Sequence, residues 1–364
     1  MKSLFHLTFS SPHIALFYFL LTLSLLNVTT SCKFKELDKN PDTSSIAVQY
    51  EWIRTEQELW QSDSFLLVKK LFDLKLKHPA FYELYMKQII AFRDSINPNS
   101  AQFVSNFKSF IQDSINQEIY NLSQTLYNDL SFLDPDLKAS IQNLKYYFPE
   151  SDIPDFYTLL SEFGVGSFVF TDEKGKDAIG IGLDFFLGQK INYSSLDPKN
   201  PSFSNYLTRC FNQDHLLRKI WEPWVEDKLS SPSGETGLDI MIHRGKKLYL
   251  LSKLCPMLPD TVLHEYTPTQ LDWCKSSESA IWSFLLDQNF LYQNEPNKIR
   301  KYTDPAPRSQ GMPEESPGRT AEYIGFQIVK SYMDKNSSMT MQDLLKNNNS
   351  QEILEQSKWK PKSN

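Results

Sequence analysis

The sequence predicts an α+β fold in which a mostly helical N-terminal part precedes a part that combines short strands with further helices. Between residues 97 and 148, apolar side chains recur every three or four positions, the spacing of helices buried on one face. After Pro149 come three short apolar runs divided by glycine-bearing turns, as expected of strands. Helical spacing returns from Leu207. With 364 residues and 40% apolar composition, the chain can bury one substantial core or two modest ones.

The first 31 residues have the pattern of a bacterial lipoprotein signal peptide. An apolar run over residues 14–28 follows Lys2, and this length suits the core of a signal peptide better than a spanning helix. The run leads into Thr-Thr-Ser-Cys, so cleavage would leave Cys32 as the lipid-bearing first residue, although Thr29 stands where such signals usually carry Leu. We therefore predict a signal peptide over residues 1–31 and a membrane anchor on Cys32. The alternatives are an uncleaved anchor or an ordinary secretory signal.

Three cysteines remain after Cys32, an odd number for a protein of an oxidising compartment. Cys255 and Cys274 could form a disulfide, which would leave Cys210 buried. Spacing alone does not establish this bond.

The elements predicted before Pro149 are a tether, a strand and a run of helices. Residues 32–45 are polar and are predicted to form the tether between lipid and fold. Residues 46–54 alternate apolar and polar side chains, as a half-buried strand does. Either Ser62 or Asp63 can cap the first of the helices that follow. The helical part is assigned to residues 46–148 and the second part to residues 149–364.

The three apolar runs after Pro149 are predicted to form a short antiparallel meander. They cover residues 156–160, 166–171 and 178–184. Their spacing and their turns are typical of strands joined by hairpins. The last run leads into Ile-Gly-Ile-Gly-Leu-Asp-Phe-Phe-Leu-Gly at residues 179–188. These glycines do not make a phosphate loop, because no Gly-Lys-Ser/Thr sequence follows them.

The later helices include one with an unusual glycine. Helices are predicted over residues 207–228 and 238–254, from a capping box at Thr267, from Ser277, and within residues 314–333. In the last of these, Gly325 lies on the apolar face, where glycine costs about 1 kcal/mol relative to alanine. We infer that another backbone packs close against Gly325.

Three segments resemble the gliding motility-associated lipoproteins of the GldB family. They are residues 179–188, residues 241–249 (Met-Ile-His-Arg-Gly-Lys-Lys-Leu-Tyr) and residues 314–333, with Ile-Leu-Glu-Gln-Ser-Lys-Trp-Lys-Pro-Lys near the chain end. The resemblance covers the chain from about Ile46 onward. It implies a lipoprotein of the Bacteroidetes cell envelope that is required for gliding and has no established enzymatic activity.

The resemblance also implies partners and a location. We expect contacts with other envelope or gliding-machinery proteins, and an anchor in the outer membrane rather than the inner one. The net charge of −6, without a long basic block, argues against nucleic acid as a partner.

The GldB family looks like a divergent relative of the gluzincin metallopeptidases, which implies a degenerate gluzincin-like fold for residues 149–364, in one unit with the helical part. Active relatives carry His-Glu-x-x-His on one helix and Glu-Gly on the next, which supply three zinc ligands and a general base. Here the first helix offers only His215, and the next has Arg244-Gly245. The nearest string starts at His264 and is broken by Pro268. We predict no enzyme activity, no metal and no cofactor.

The candidate binding residues are Arg244, Lys246 and Arg319. They would line a basic cleft above the degenerate centre, with Glu322 as the countercharge. The alternative is that they form ordinary salt bridges.

The predicted function is a non-catalytic scaffold or binding component required for gliding. One alternative is a peptide- or glycan-binding, chaperone-like envelope lipoprotein, which an exposed aromatic groove near Trp221, Trp224 and Trp282 would favour. A second alternative is a cryptic zinc hydrolase.

Overall fold

A computed structural model describes residues 40–61, 64–92, 95–229 and 231–362 of the chain. The signal peptide, Cys32 and the predicted cap at Ser62 or Asp63 lie outside these residues. In the described part, no helix is long and apolar enough to cross a membrane.

Helices make up most of the fold before residue 150. Strand β1 (Trp52–Arg54) is followed by α1 (Thr55–Trp60), α2 (Ser64–Lys77), α3 (Pro79–Leu84) with a π-helical turn (Tyr85–Ile89), α4 (Ala101–Gln112), α5 (Ser114–Tyr127) and α6 (Asp134–Tyr147). The Ser100 and Asp113 side chains cap α4 and α5 by accepting from backbone N–H groups of the first turn. The predicted helical part is confirmed. The strand predicted over residues 46–54 is wrong in extent, since only its last 3 residues form a ladder.

The second half begins with three strands and continues as helices. The strands are β2 (Asp155–Leu159), β3 (Ser167–Thr171) and β4 (Asp177–Gly182), and the helices are α7 (Tyr193–Leu196), α8 (Asn205–Thr208), α9 (Leu216–Lys228), α10 (Gly237–Leu254), α11 (Asp260–His264), α12 (Pro268–Ser276), α13 (Glu278–Asp287), α14 (Pro296–Thr303), α15 (Thr320–Lys335), α16 (Met341–Lys346) and α17 (Ser350–Ser357). The capping box at Thr267 is confirmed. The helix predicted over residues 207–228 is divided, because the Asn212 side chain caps a separate 3₁₀ turn (Gln213–His215) before α9.

The four strands form a mixed sheet, so the predicted antiparallel meander is wrong. The strand order is β1-β2-β4-β3, in which β1 and β4 both run parallel to β2 and only β3 runs antiparallel to β4. The chain leaves β2 and passes to the far side of β4 before β3 begins. Buried Asp184 holds this connection, since its Oδ2 accepts from the backbone N–H groups of Ser161 at 3.1 Å and Phe163 at 2.5 Å.

The glycines of residues 179–188 provide room for this arrangement. A Cβ on Gly180 would lie 2.1 Å from the ring of Phe168, its partner on β3. A Cβ on Gly182 would lie 2.1 Å from the carbonyl oxygen of Val165 in the connection. The motif therefore allows the sheet and its crossing loop to pack closely.

Helices α10 and α15 cross with their backbones in contact. A Cβ on Gly245 would lie 2.3 Å from the carbonyl oxygen of Gly325, and a Cβ on Gly325 would lie 2.1 Å from that of Met241. Neither position can hold a side chain unless the helices move apart. The prediction that another backbone packs against Gly325 is confirmed.

The residues from 40 onward form one compact unit around a continuous hydrophobic core. Thr43 is already buried in it, and its hydroxyl donates to the Asn143 side chain at 3.0 Å. Asn143 in turn donates to the carbonyl of Leu254, at the end of α10. The folded unit thus begins inside the segment predicted as a tether.

The three later cysteines are free thiols, and the disulfide considered between Cys255 and Cys274 is not formed. Both side chains are buried, and burial raises the pKa of both thiols. Cys210 is also buried, as expected.

Replacing Gly325 by alanine tests the helix crossing. Helix propensity alone would stabilise the variant by about 1 kcal/mol. We expect instead a loss of roughly 1 to 3 kcal/mol, because the new methyl group meets the backbone of α10. Urea unfolding measures the difference. Gly166→Ala is the control, since its Cβ would meet the Phe185 ring at an ordinary 3.5 Å. A more stable Gly325→Ala protein would contradict the close crossing.

Candidate functional site

Three charged side chains of α9 point into a buried ionic centre. Arg218, Lys219 and Glu222 occupy positions i, i+1 and i+4 of the helix, so they lie within one turn. The Glu222 carboxylate is 2.9 Å from the Arg218 guanidinium and 3.0 Å from the Lys219 ammonium. The same two cations reach Glu265, at 3.0 and 2.7 Å. Each of the two carboxylates therefore forms an ion pair with each of the two cations.

Helices α10 and α15 extend this set. Lys247 of α10 lies 3.0 Å from Glu222. Arg319, at the start of α15, lies 2.9 Å from Glu265 and 3.6 Å from Glu322. We call these residues the charge cluster: Arg218, Lys219, Glu222, Lys247, Glu265, Arg319 and Glu322. Further ion pairs at its rim join Lys247 to Glu226, and Arg244 to Glu322 and Asp304.

Most of the charge cluster is shielded from water, while the Lys219 side chain is 23% exposed at the cavities beside it. Arg218 is fully buried and Glu322 is 2% exposed. Removing such charges from water costs several kcal/mol per ion, which mutual pairing must offset. Burial alone would raise the pKa of Glu265, but Arg218, Lys219 and Arg319 outweigh it and hold that pKa below its usual range. Every carboxylate of the cluster is thus engaged by a cation.

Two residues of the charge cluster have a strained backbone. Glu265 has φ of 51° and Arg319 has φ of 60°, the left-handed region that residues other than glycine rarely adopt. Each costs about 1 to 3 kcal/mol and persists only where surrounding contacts enforce it. Here Arg319 donates to both the Glu265 carboxylate and the His264 carbonyl.

Two adjoining cavities open beside the charge cluster. The first, the basic cavity, has a volume of about 40 Å³ and is lined by Arg209, Lys219, Glu265 and Arg319, with an apolar wall that includes Pro305, Ala306 and Pro317. The second, the aromatic cleft, has a volume of about 360 Å³ and is lined by Gly166, Ser167, Phe185, Phe186, Phe211, Lys219, Glu222, Pro223 and Glu226. Lys219 and Phe211 line both cavities.

The structure brings together two of the three candidate binding residues. Arg244 and Arg319 both approach Glu322, the countercharge named with them, at 3.8 and 3.6 Å. Lys246 does not join them. Its ammonium donates to the carbonyl of Asn347. The Lys246 side chain lines a separate small cavity, and burial lowers its pKa to about 8.

Sequence reasoning missed the α9 residues and Lys247. The available signal was the Arg-Lys-x-x-Glu spacing on α9, which places three charges beside the buried apolar residues of its N-terminal half, such as Leu217, Ile220 and Trp221. Lys247 was overlooked in favour of its neighbour Lys246. Consecutive helical residues point about 100° apart, so only one of the two can face α9.

His215 and His264, the histidines nearest to the missing His-Glu-x-x-His motif, lie in separate surroundings. His215 is half-buried before α9, with Nδ1 2.9 Å from the Asn212 side chain, and burial lowers its pKa to about 4. His264 is buried among aromatic rings that include Tyr266 and Phe326, and burial lowers its pKa to about 3. Among the described residues, no group of three or more His, Cys, Asp or Glu side chains is arranged to hold a metal ion.

The exposed aromatic groove considered near three tryptophans is not formed. Trp221 and Trp224 are fully buried, and their indole N–H groups donate to Ser140 and Asp177. Trp282 packs edge-on against Trp359, and is partly buried.

The fold and the site define a mixed α+β protein, mostly helical, built around a paired ionic centre with a cleft beside it. The family model described as gliding motility protein GldB matches residues 36–361. The chain therefore belongs to the GldB family, as predicted, and membership makes it a gliding-motility-related lipoprotein of the cell envelope. Comparisons with curated proteins and with solved structures gave no match.

Replacing Glu265 by glutamine tests the energetic role of the charge cluster. The change keeps the side-chain size but leaves Arg218 and Arg319 buried without their shared carboxylate. Breaking a buried pair in this way costs about 3 to 5 kcal/mol. The matched control is Asp260→Asn, which removes a surface pair with Lys275 and should cost at most about 1 kcal/mol. Urea unfolding measures the free energy of unfolding of both variants. Equally small losses of stability would show that the charge cluster does not stabilise the fold.

Proposed function

We propose that the protein is a non-catalytic scaffold or binding component of the gliding apparatus, held in the outer membrane by lipid on Cys32. Family membership and the Thr-Thr-Ser-Cys sequence at residues 29–32 support this proposal. The aromatic cleft supplies the contact surface for other envelope components.

The spacing of the charge cluster on α9 is the observation that carries the non-catalytic role. In a gluzincin-like helix, His-Glu-x-x-His places two zinc ligands and the general base at i, i+4 and i+1. Arg218, Glu222 and Lys219 have that spacing here, and Lys247 of the next helix contacts Glu222. We infer that this chain keeps a degenerate form of such a centre, in which cations of the protein replace the metal ion.

Electrostatics favour this inference. A zinc ion a few Å from Arg218 and Lys219 would be repelled by several kcal/mol, even at an effective dielectric constant near 20. The carboxylates are also already paired with cations of the protein. Burial would raise the pKa of Glu222, but Arg218, Lys219 and Lys247 hold it well below its usual range, so this group is a poor general acid.

A charge reversal at the mouth of the aromatic cleft tests the binding role. Glu226 is a suitable position because its side chain is 55% exposed and pairs with Lys247 at the rim. We expect a strain that carries Glu226→Lys to lose colony spreading, while the protein stays folded and reaches the envelope. Circular dichroism and membrane fractionation verify the last two points.

The matched control is Glu118→Lys on α5, an exposed residue that lines neither cavity. It should spread like the wild type. Normal spreading of Glu226→Lys, or equal loss in both variants, would count against a function located in the cleft.

A further inference from the structure

We propose that the basic cavity binds a single carboxylate, the C-terminal carboxylate of an extended peptide whose preceding residues lie in the aromatic cleft. This inference rests on the proposed binding role of that face and names the chemistry of the ligand.

The charges around the basic cavity favour an anion. Arg209, Lys219 and Arg319 line it together with one carboxylate, Glu265. That carboxylate is already paired with Lys219, Arg319 and buried Arg218. The cations therefore exceed the anions at the cavity wall.

Arg209 contributes most to this excess. Its guanidinium donates to the Gln270 side-chain oxygen at 3.0 Å and to the Glu265 carbonyl at 2.7 Å. Both acceptors are neutral, and no ion pair among the described residues includes Arg209. A guanidinium whose fixed partners are neutral retains a charge that a ligand carboxylate can satisfy.

The size of the basic cavity selects a small group. Its volume of about 40 Å³ corresponds to roughly three water-sized positions, which is the size of a carboxylate. The apolar wall of Pro305, Ala306 and Pro317 suits the carbon atoms next to that group. The cavity also lies at the N-terminal end of the 16-residue helix α15, whose dipole favours a negative charge.

The aromatic cleft next to the basic cavity favours an extended ligand. Lys219 and Phe211 form the border with the aromatic cleft, so the chain of a ligand whose end binds in the basic cavity would extend into the cleft. The cleft is bounded by Gly166 and by Ser167, the first residue of β3, which is one of the two edge strands of the sheet. Edge strands and aromatic walls are the surfaces that accept extended peptides.

Calorimetric titration of the full mature lipoprotein in detergent tests the proposal. The probe is acetyl-Ala-Phe-Leu with a free C-terminus, and the comparison is the same peptide as the C-terminal amide. We expect the acid to bind and the amide to bind at least about tenfold more weakly, the loss of one charge-assisted contact. Equal binding of the two peptides, or no binding of either, would overturn the proposal.

Variants locate the site. Lys219→Gln should weaken binding of the acid by about tenfold or more. Lys228→Gln is the matched control, since this lysine of α9 pairs with Asp177 and Asp227 outside both cavities, and it should bind like the wild type. If Lys219→Gln does not fold, Arg209→Gln takes its place with the same expected loss. Wild-type binding by the folded cavity variant would overturn the proposal.

Two competition experiments distinguish a peptide C-terminus from other anionic groups. Inorganic phosphate, and an amidated peptide with glutamate in place of leucine, should each compete poorly with the acid. Competition by either at the concentration of the acid would contradict a site for a chain end. If neither peptide binds but the Glu226→Lys strain still loses spreading, only the carboxylate site is rejected. The proposed binding role of the aromatic cleft is then retained.

Discussion

The contact between the backbones of α10 and α15 is the constraint on which the rest of the structure depends. Gly245 and Gly325 let the helices approach until main-chain atoms touch. This approach brings Arg244 of α10 within 3.8 Å of Glu322 on α15. Any side chain at the crossing would separate the elements that supply the charge cluster. The glycines are therefore needed for the position of the charges as well as for packing.

The charge cluster is a costly feature for a protein interior. Apolar residues of similar size often replace buried ion pairs without loss of stability, or with a gain. This fold instead keeps seven charged residues together and holds Glu265 and Arg319 in strained backbone conformations. Such a cost is understandable if the cluster shapes the cavities beside it. Lys219 shows the connection, since it pairs inside the cluster and also lines both cavities.

Local features of the sequence were sufficient to predict most of the longer helices, the capping box at Thr267 and the close packing of Gly325. They were not sufficient for the sheet, because alternation identifies a strand but not its neighbours. The side of β4 on which the chain returns depends on tertiary contacts, such as those of Asp184 with Ser161 and Phe163. The charge cluster was missed for a related reason. Charged residues on an amphipathic helix usually face water, and the burial of Arg218 depends on Glu265, which lies 47 residues away in sequence.

The metal content of the protein tests whether cations of the chain take the place of a catalytic metal ion, as we propose. The mature lipoprotein should be purified without chelators and analysed by mass spectrometry of its elements, with thermal unfolding recorded before and after zinc is added. We expect far less than one zinc ion per chain and no stabilisation by added zinc. Stoichiometric zinc that disappears in Glu222→Gln, together with a peptidase activity, would contradict the proposal.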